Sequence, residues 1–549
     1  MSQVLTAAAP RTPPTGAPPA TARPLRRRAG SAAGRLAPLT GPAVVLAVWE
    51  LAARTVLADS YALPAPTEIL TRFVQDVPFA WPNLRQTAFE AAMGWLWGNL
   101  VAVLAAAVFV LVRPVETMLF RVFVALYCLP IVALAPILGA VLSEPRAQIV
   151  ISAQGVFFTT LIATMLGLRS ASQTNLDLVT VSGGGGWRQL VMVRVHAALP
   201  SLFSGLRIAA PAAVLGAVVG EYLGARSGLG VAMVYSQQSL DVTRTWGLAL
   251  TTTLLAAAFY LVTVLAERLL VPWATHGTAL QALPAPAVRR GGRLRRTSSS
   301  LGSAALSVAL VLALWHGAVV LSGLSSYFMK TPVDVWAHLF TDADAAANRS
   351  ELWQSLLITV EDTVLGYAAG TLAALGLATA VAVSTAARRV VVPFTIALRA
   401  VPLVALTPLF VLLFGRGVGV VLFIGGLVTC IPTLITVVTA MDRTPTAGRD
   451  LVTVNGGSRW QAVVRVMLPS ALPAVFAAAR VAAPTALLGA LLAEWLATGE
   501  GLGSDMLRAA AGAQFGFVWS GVAAITLVAF LLYALATAAE SASLRRLGG

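Results

Sequence analysis

The chain has 549 residues, 58% of them hydrophobic and only 11% charged, with a mean hydropathy of +0.81. No water-soluble globular domain has that balance, so the sequence reads as an all-α polytopic membrane protein. Its net charge of +15 does not indicate nucleic-acid binding, because the basic residues sit in tails and in short loops beside apolar spans, where membrane orientation puts them.

Residues 1–40 are rich in Pro, Ala, Ser and Arg, include Arg26-Arg27-Arg28 and contain no apolar run, which predicts a disordered tail rather than a cleaved leader. Since about 20 apolar residues cross a bilayer, spans are predicted near 41–58, 89–112, 115–142, 147–168, 200–224 and 246–272. Residues 273–301, with Pro284, Pro286 and the arginines at 289, 290, 293, 295 and 296, form a polar linker. A second set of spans follows near 302–325, 357–384, 388–413, 418–440, 473–497 and 518–538. The expectation is therefore about twelve spans in two parallel six-helix repeats, 41–272 and 302–549. Arginines beside the first span, in the linker, at Arg388-Arg389 and at Arg545-Arg546 place both termini in the cytoplasm of a bacterial cell. The loops at 59–88 and 326–356 then face outward.

Two internal stretches repeat at an offset of 273 residues, Asp177 to Asp450. The second runs from Asp450 through Gly456, Gly457 and Trp460 to Leu468, Pro469 and Pro473; the first runs from Asp177 through Gly183, Gly184 and Trp187 to Leu199 and Pro200. Each lies between apolar spans, carries arginines and breaks at a Gly pair, so each reads as two short helices around a hinge at a membrane surface.

These stretches resemble the cytoplasmic loop of the permease subunits of type I ABC importers, in which Glu-Ala-Ala is followed at fixed spacing by Gly and then by Ile-x-Leu-Pro. Asp450 stands for the Glu, Leu451 and Val452 for the alanines, Gly456 for the glycine, and Val466-Met467-Leu468-Pro469 for the ending. The first copy keeps Asp177 and Gly183 but ends in Val193-Arg194-Val195-His196. The resemblance implies that both loops dock on partner ABC ATPase subunits, two in number and forming a homodimer, which bind ATP and Mg. It also implies an extracytoplasmic solute-binding protein and no chemistry on this chain. Leu63-Pro64-Ala65-Pro66-Thr67-Glu68, the run Leu398 to Leu409, and Ala493-Glu494-Trp495-Leu496 with Gly501-Leu502-Gly503 are similar to the nitrate, sulfonate and taurine branch and to permeases for thiamine pyrimidine precursors. Most such permeases pair as homodimers, whereas this chain fuses two unequal halves. A secondary transporter of the major facilitator type also has twelve spans in two parallel halves. Against that alternative, the link Val112-Arg113-Pro114-Val115 lacks the Gly, Asp and Arg-rich signature that plan carries there.

Within the spans, Pro130 and Pro136 match Pro402 and Pro408, next to Arg399, and each proline bends its helix by removing a backbone donor. Arg207 and Glu221 match Arg480 and Glu494 at the same 273 offset. Fourteen residues of helix, roughly 21 Å, keep each Arg from its own Glu, so every one of these charges needs another partner. With Gln154 they are candidates either for lining a translocation path or for structural pairing. Lys330 is the chain's one lysine and follows Met329, which excludes a phosphate-binding Gly-Lys-Ser/Thr loop. Cys128, Cys430 and the four histidines have no ligand spacing, so no metal site, cofactor or enzymatic activity is expected.

Overall fold

The computed structural model describes residues 63–112, 141–222, 225–274, 325–400 and 413–546, with shorter pieces within 43–55, 114–139, 308–323 and 410–411. The predicted tail and nearly all of the predicted linker lie outside these residues. Among the described residues every element is helical, and eight helices are long and apolar enough to cross a membrane.

In the first half, α1 (Pro66–Gln75) leads into α2 (Val77–Leu111), followed by α3 (Arg146–Arg169), α4 (Gln173–Val181), α5 (Gly186–Tyr222), α6 (Leu229–Gln238) and α7 (Val242–Leu270). The second half repeats this order with two further helices, α8 and α11: α8 (Val308–Leu321), α9 (Pro332–Trp336), α10 (Ala345–Val383), α11 (Thr385–Ala400), α12 (Val418–Asp442), α13 (Thr446–Val454), α14 (Arg459–Thr498), α15 (Leu502–Ala511) and α16 (Phe515–Arg546). The predicted third span lies largely outside the described residues, and the first and ninth lie partly outside them; what is described of the first, within 43–55, is helical. The seventh is the shorter apolar helix α8.

Three expectations need correction. The predicted outward loops 59–88 and 326–356 are mostly helical, because α2 begins at Val77 and α10 at Ala345, well before the apolar runs begin. Glu68 and Asp334 start the preceding short helices by accepting backbone N–H bonds from Ala65 and Thr331. The Thr331 N–H also holds the Asp334 carboxyl below the usual carboxylate range. The fifth and eleventh spans reach back to Gly186 and Arg459, so each is a rod of about 55–60 Å at 1.5 Å per residue. A short helix that the hydropathy pattern did not indicate, α6 or α15, follows each rod.

Small residues set the packing inside each half. A Cβ on Gly98 would fall 2.6 Å from the Ala153 carbonyl, and one on Gly366 would fall 2.8 Å from the Gly425 Cα, so α2 lies directly on α3 and α10 on α12. Near the loops, the two cores occupy matching positions: Ala102 and Ala374, Leu161 and Leu434, Leu168 and Met441, Leu190 and Val463, Ala198 and Ala471. Each of these loop-end cores belongs to one half. At the opposite end the halves share a core in which Val218, Leu229, Ala232 and Met233 pack with Phe410, Val420, Val421, Ile424, Ala493 and Ala497. Tyr222 meets Trp495 edge to face there, with ring centroids 6.2 Å apart. Trp49, in the helical piece within 43–55, packs on Trp246 of α7 at 5.1 Å, and Trp315 of α8 packs on Trp519 of α16 at 5.4 Å.

Candidate functional site: two matched loops

Both loops turn in the same way. Helix α4 ends where Gly183 adopts φ +76°, and α13 ends where Gly456 adopts φ +77°. The next glycine then donates its N–H five residues back, Gly184 to the Val179 carbonyl and Gly457 to the Val452 carbonyl, both at 2.8 Å. Together with the Gly183–Thr180 and Gly456–Thr453 bonds, this closes each helix in a Schellman turn. The first glycine of each pair is required by its left-handed backbone. The second is required by space, since a Cβ on Gly184 or Gly457 would sit 2.8 or 2.7 Å from that same carbonyl oxygen.

Beyond the turn the chain enters α5 or α14 through one short helical turn and then a π-helical turn, Leu190–Arg194 or Val463–Met467. Pro469 follows the second π turn, yet the first has His196 in that place and the same geometry. The widened turn is therefore a property of the loop and not of the proline.

The braces differ. Ser458 caps the second loop, accepting the Gln461 N–H while the Gln461 side chain accepts the Ser458 N–H at 2.9 Å. The first loop has Gly185 there, and Gln189 instead reaches back to the Thr180 hydroxyl at 2.7 Å. Arg194, which breaks the first copy's motif, donates to the Leu168 carbonyl at 3.1 Å and so satisfies the end of α3.

At the mouth of each loop an ion pair holds the preceding helices together with opposite polarity. Glu116 pairs with Arg169 in the first half, while Arg388 grips Asp442 through two bonds of 2.8 and 2.6 Å in the second.

What the loops present outward is the same in both. Leu178, Val181 and Trp187 match Leu451, Val454 and Trp460, and all six are exposed, Val181 and Val454 at 87% and 85%. Asp177 and Asp450 are exposed beside them, whereas Leu199, Pro200 and Leu468 are half-buried and Pro469 is exposed.

The in-span charges lie apart from the loops, and each has its partner. Arg207 pairs with Glu267 at 3.3 Å and Arg480 with Glu540 at 3.1 Å, tying α5 to α7 and α14 to α16. Glu221 and Glu494 are fully buried at the far end and accept the N–H of Gly230 at 2.6 Å and of Gly503 at 2.7 Å. Gln154 is half-buried. Pro130, Pro136, Pro402 and Pro408 lie outside the described residues, as does the Arg399 side chain. Glu267, Glu540, Thr87 and Thr359 were missed in the sequence. The repeat offset points to the two glutamates, but nothing marks a lone threonine in an apolar span. No group of metal-ligating side chains occurs among the described residues.

The chain thus consists of two repeated helical halves, each presenting an exposed apolar loop at one end and sharing a core with the other half at the opposite end. The family described as "Binding-protein-dependent transport system inner membrane component" matches residues 98–276 and 368–548, and the chain belongs to it. A probable ABC transporter permease protein of Haemophilus influenzae is 32% identical over 208 residues, 38% of this chain and 85% of its own. The riboflavin transport system permease protein of Chloroflexus aurantiacus is 28% identical over 42% of this chain and 87% of its own. The formylaminopyrimidine transport permease protein of Halalkalibacterium halodurans is 29% identical over 34% and 75%. No solved structure matches. The chain is thus a multi-pass permease of the ABC import class with the family domain present twice, and the major facilitator alternative is set aside.

Proposed function

We propose that this chain forms the whole translocation path of an ATP-driven importer for a small solute of the sulfonate, taurine, nitrate or thiamine-pyrimidine type. The matched exposed residues Leu178, Val181 and Trp187, and Leu451, Val454 and Trp460, carry the proposal. Three large apolar side chains on a rigid, glycine-hinged turn expose a surface that water solvates poorly, and a protein groove removes that cost. Two such turns fit two ATPase subunits. In this reading the loops are cytoplasmic and the shared core of the halves faces the solute-binding protein. The structure is then closed outward, and ATP-driven approach of the loops reopens it. The family likeness and the lack of a phosphate-binding lysine loop support placing ATP and Mg on the partner chains.

The test is uptake into proteoliposomes. Transport is expected to need ATP, a co-purified ATPase and the binding protein; uptake by the chain alone on a proton or sodium gradient would overturn the proposal.

A further inference from the structure

We propose that Glu221 and Glu494 are the joints through which the rods α5 and α14 hold the junction between the halves shut. Each rod would then link a coupling loop at one end to the junction at the other. The inference rests on the transporter reading for its consequence, but its geometry stands on its own.

Each rod starts at a loop hinge and carries its glutamate at or near the far end. Glu221 Oε2 accepts the Gly230 N–H at 2.6 Å, and its Oε1 accepts the Thr87 hydroxyl at 2.6 Å. Thr87 Oγ1 in turn accepts the Leu229 N–H at 2.9 Å, and Asn83 accepts the Gly228 N–H at 3.0 Å. Three consecutive amides at the start of α6 are thereby held by side chains of α2 and α5.

The second half repeats two of these bonds, the Gly503 N–H to Glu494 at 2.7 Å and the Leu502 N–H to the Thr359 hydroxyl at 2.9 Å, while Thr359 donates to the Ser355 carbonyl at 3.2 Å. Gly228 and Gly501 have φ of +131° and +91°, and a Cβ on either would overlap the carboxylate. The glutamate therefore lies flush against a Gly-Leu-Gly turn that no other residues would form.

This clamp matters because of what it holds. Helix α6 supplies Leu229, Ala232 and Met233 to the core shared by the halves, and α15 buries Leu502 and Met506 in a cluster with Val219 of the first half. Neither short helix can leave the junction while its amides stay on the glutamate. A displacement of the rod by its loop therefore carries the short helix with it. Glu221 and Glu494 act as positioning residues through α6 and α15.

The experiment uses the full chain in native membranes, with Tyr222→Cys and Trp495→Cys in a background where Cys128 and Cys430 are replaced, and measures cross-linking across the junction. Glu221→Ala is expected to lower the cross-linking rate about thirtyfold, the shift set by losing the two hydrogen bonds it accepts. Glu221→Gln is expected to restore it in part, since its amide oxygen still accepts the Gly230 N–H. In the complex with the ATPase, ATP and vanadate are expected to slow cross-linking in the parent and to leave Glu221→Ala unchanged. A wild-type rate in Glu221→Ala would overturn the proposal. Should that variant not reach the membrane, the isosteric Thr87→Val takes the same test with the same two outcomes. Because the first measurement needs no ATPase, a failure of the importer reading would leave it intact and identifiable.

Discussion

Gly456 and Gly183 carry the most consequential single-residue geometry in the chain, since a valine at φ near +77° costs about 1–3 kcal/mol of backbone strain. Gly456→Val is expected to straighten the Schellman turn, swing Trp460 off its docking face and abolish substrate-stimulated ATP hydrolysis in the assembled transporter. Gly183→Val is expected to act in the same direction but less severely, because Gln189 ties the first loop's two limbs together through Thr180 and Arg194 anchors it to the end of α3. ATPase binding and stimulated hydrolysis, measured for both variants, check the order; normal coupling in Gly456→Val would show that the hinge is dispensable. These glycines are legible in the sequence because a Gly pair between two apolar spans stops a helix and marks a turn. Glu221 is legible only as a charge at depth. Its partners are a threonine hydroxyl on another helix and an amide nine residues on, and neither carries a signature of its own. Arg194 reads as a defect in a motif, and its bond to Leu168 shows that it has exchanged one role for another.

Between elements, the sequence pattern locates spans but not their true ends. Hydropathy reports the apolar stretch, whereas a helix continues as long as its backbone bonds are met, so α2 and α10 run past the apolar stretch into polar residues. The π turns that join the loops to α5 and α14 are hidden for a related reason: an i→i+5 bond needs no particular side chain. The two ion pairs between rods and last spans differ in burial, which ranks them. Arg480 and Glu540 are 9% and 10% exposed, and Arg207 and Glu267 are 32% and 16% exposed. Removing one partner of a buried pair costs about 3–5 kcal/mol, and of a more solvated pair about 1 kcal/mol or less. Arg480→Met is therefore expected to lower the thermal midpoint of the detergent-solubilised chain several degrees more than Arg207→Met. Adding Glu540→Gln is expected to recover part of the loss; equal shifts for the two single variants would contradict the ranking.

For the molecule as a whole, the repeat is the most legible feature, because two copies of an uncommon loop at one offset fix the order and direction of the elements around them. The shared core at the far end is not, since it joins residues such as Met233 and Ile424 that are far apart in the chain and share only apolar character. The orientation proposed above rests on the arginine distribution. A cysteine placed at the exposed Thr446 is expected to stay unlabelled by an impermeant thiol reagent in intact cells, and one at the exposed Ala346 is expected to react. The opposite pattern would reverse the inside and outside faces proposed above.

The reversed ion pairs at the loop mouths bear on how a tandem repeat reaches the right structure at all. Two similar halves on one ribosomal product have ample opportunity to exchange equivalent helices while they insert, and their small-residue seams are too alike to forbid it. Polarity weighs against it, by about 1 kcal/mol or less for each half-exposed pair. A first-half helix bearing Glu116 that settled on the second half would meet Asp442, and the segment bearing Arg388 would meet Arg169 in the reciprocal error. Each exchange replaces an attraction with a repulsion, so the two pairs label the halves as different during assembly. A homodimer, whose copies carry identical signs, has no means of writing that label.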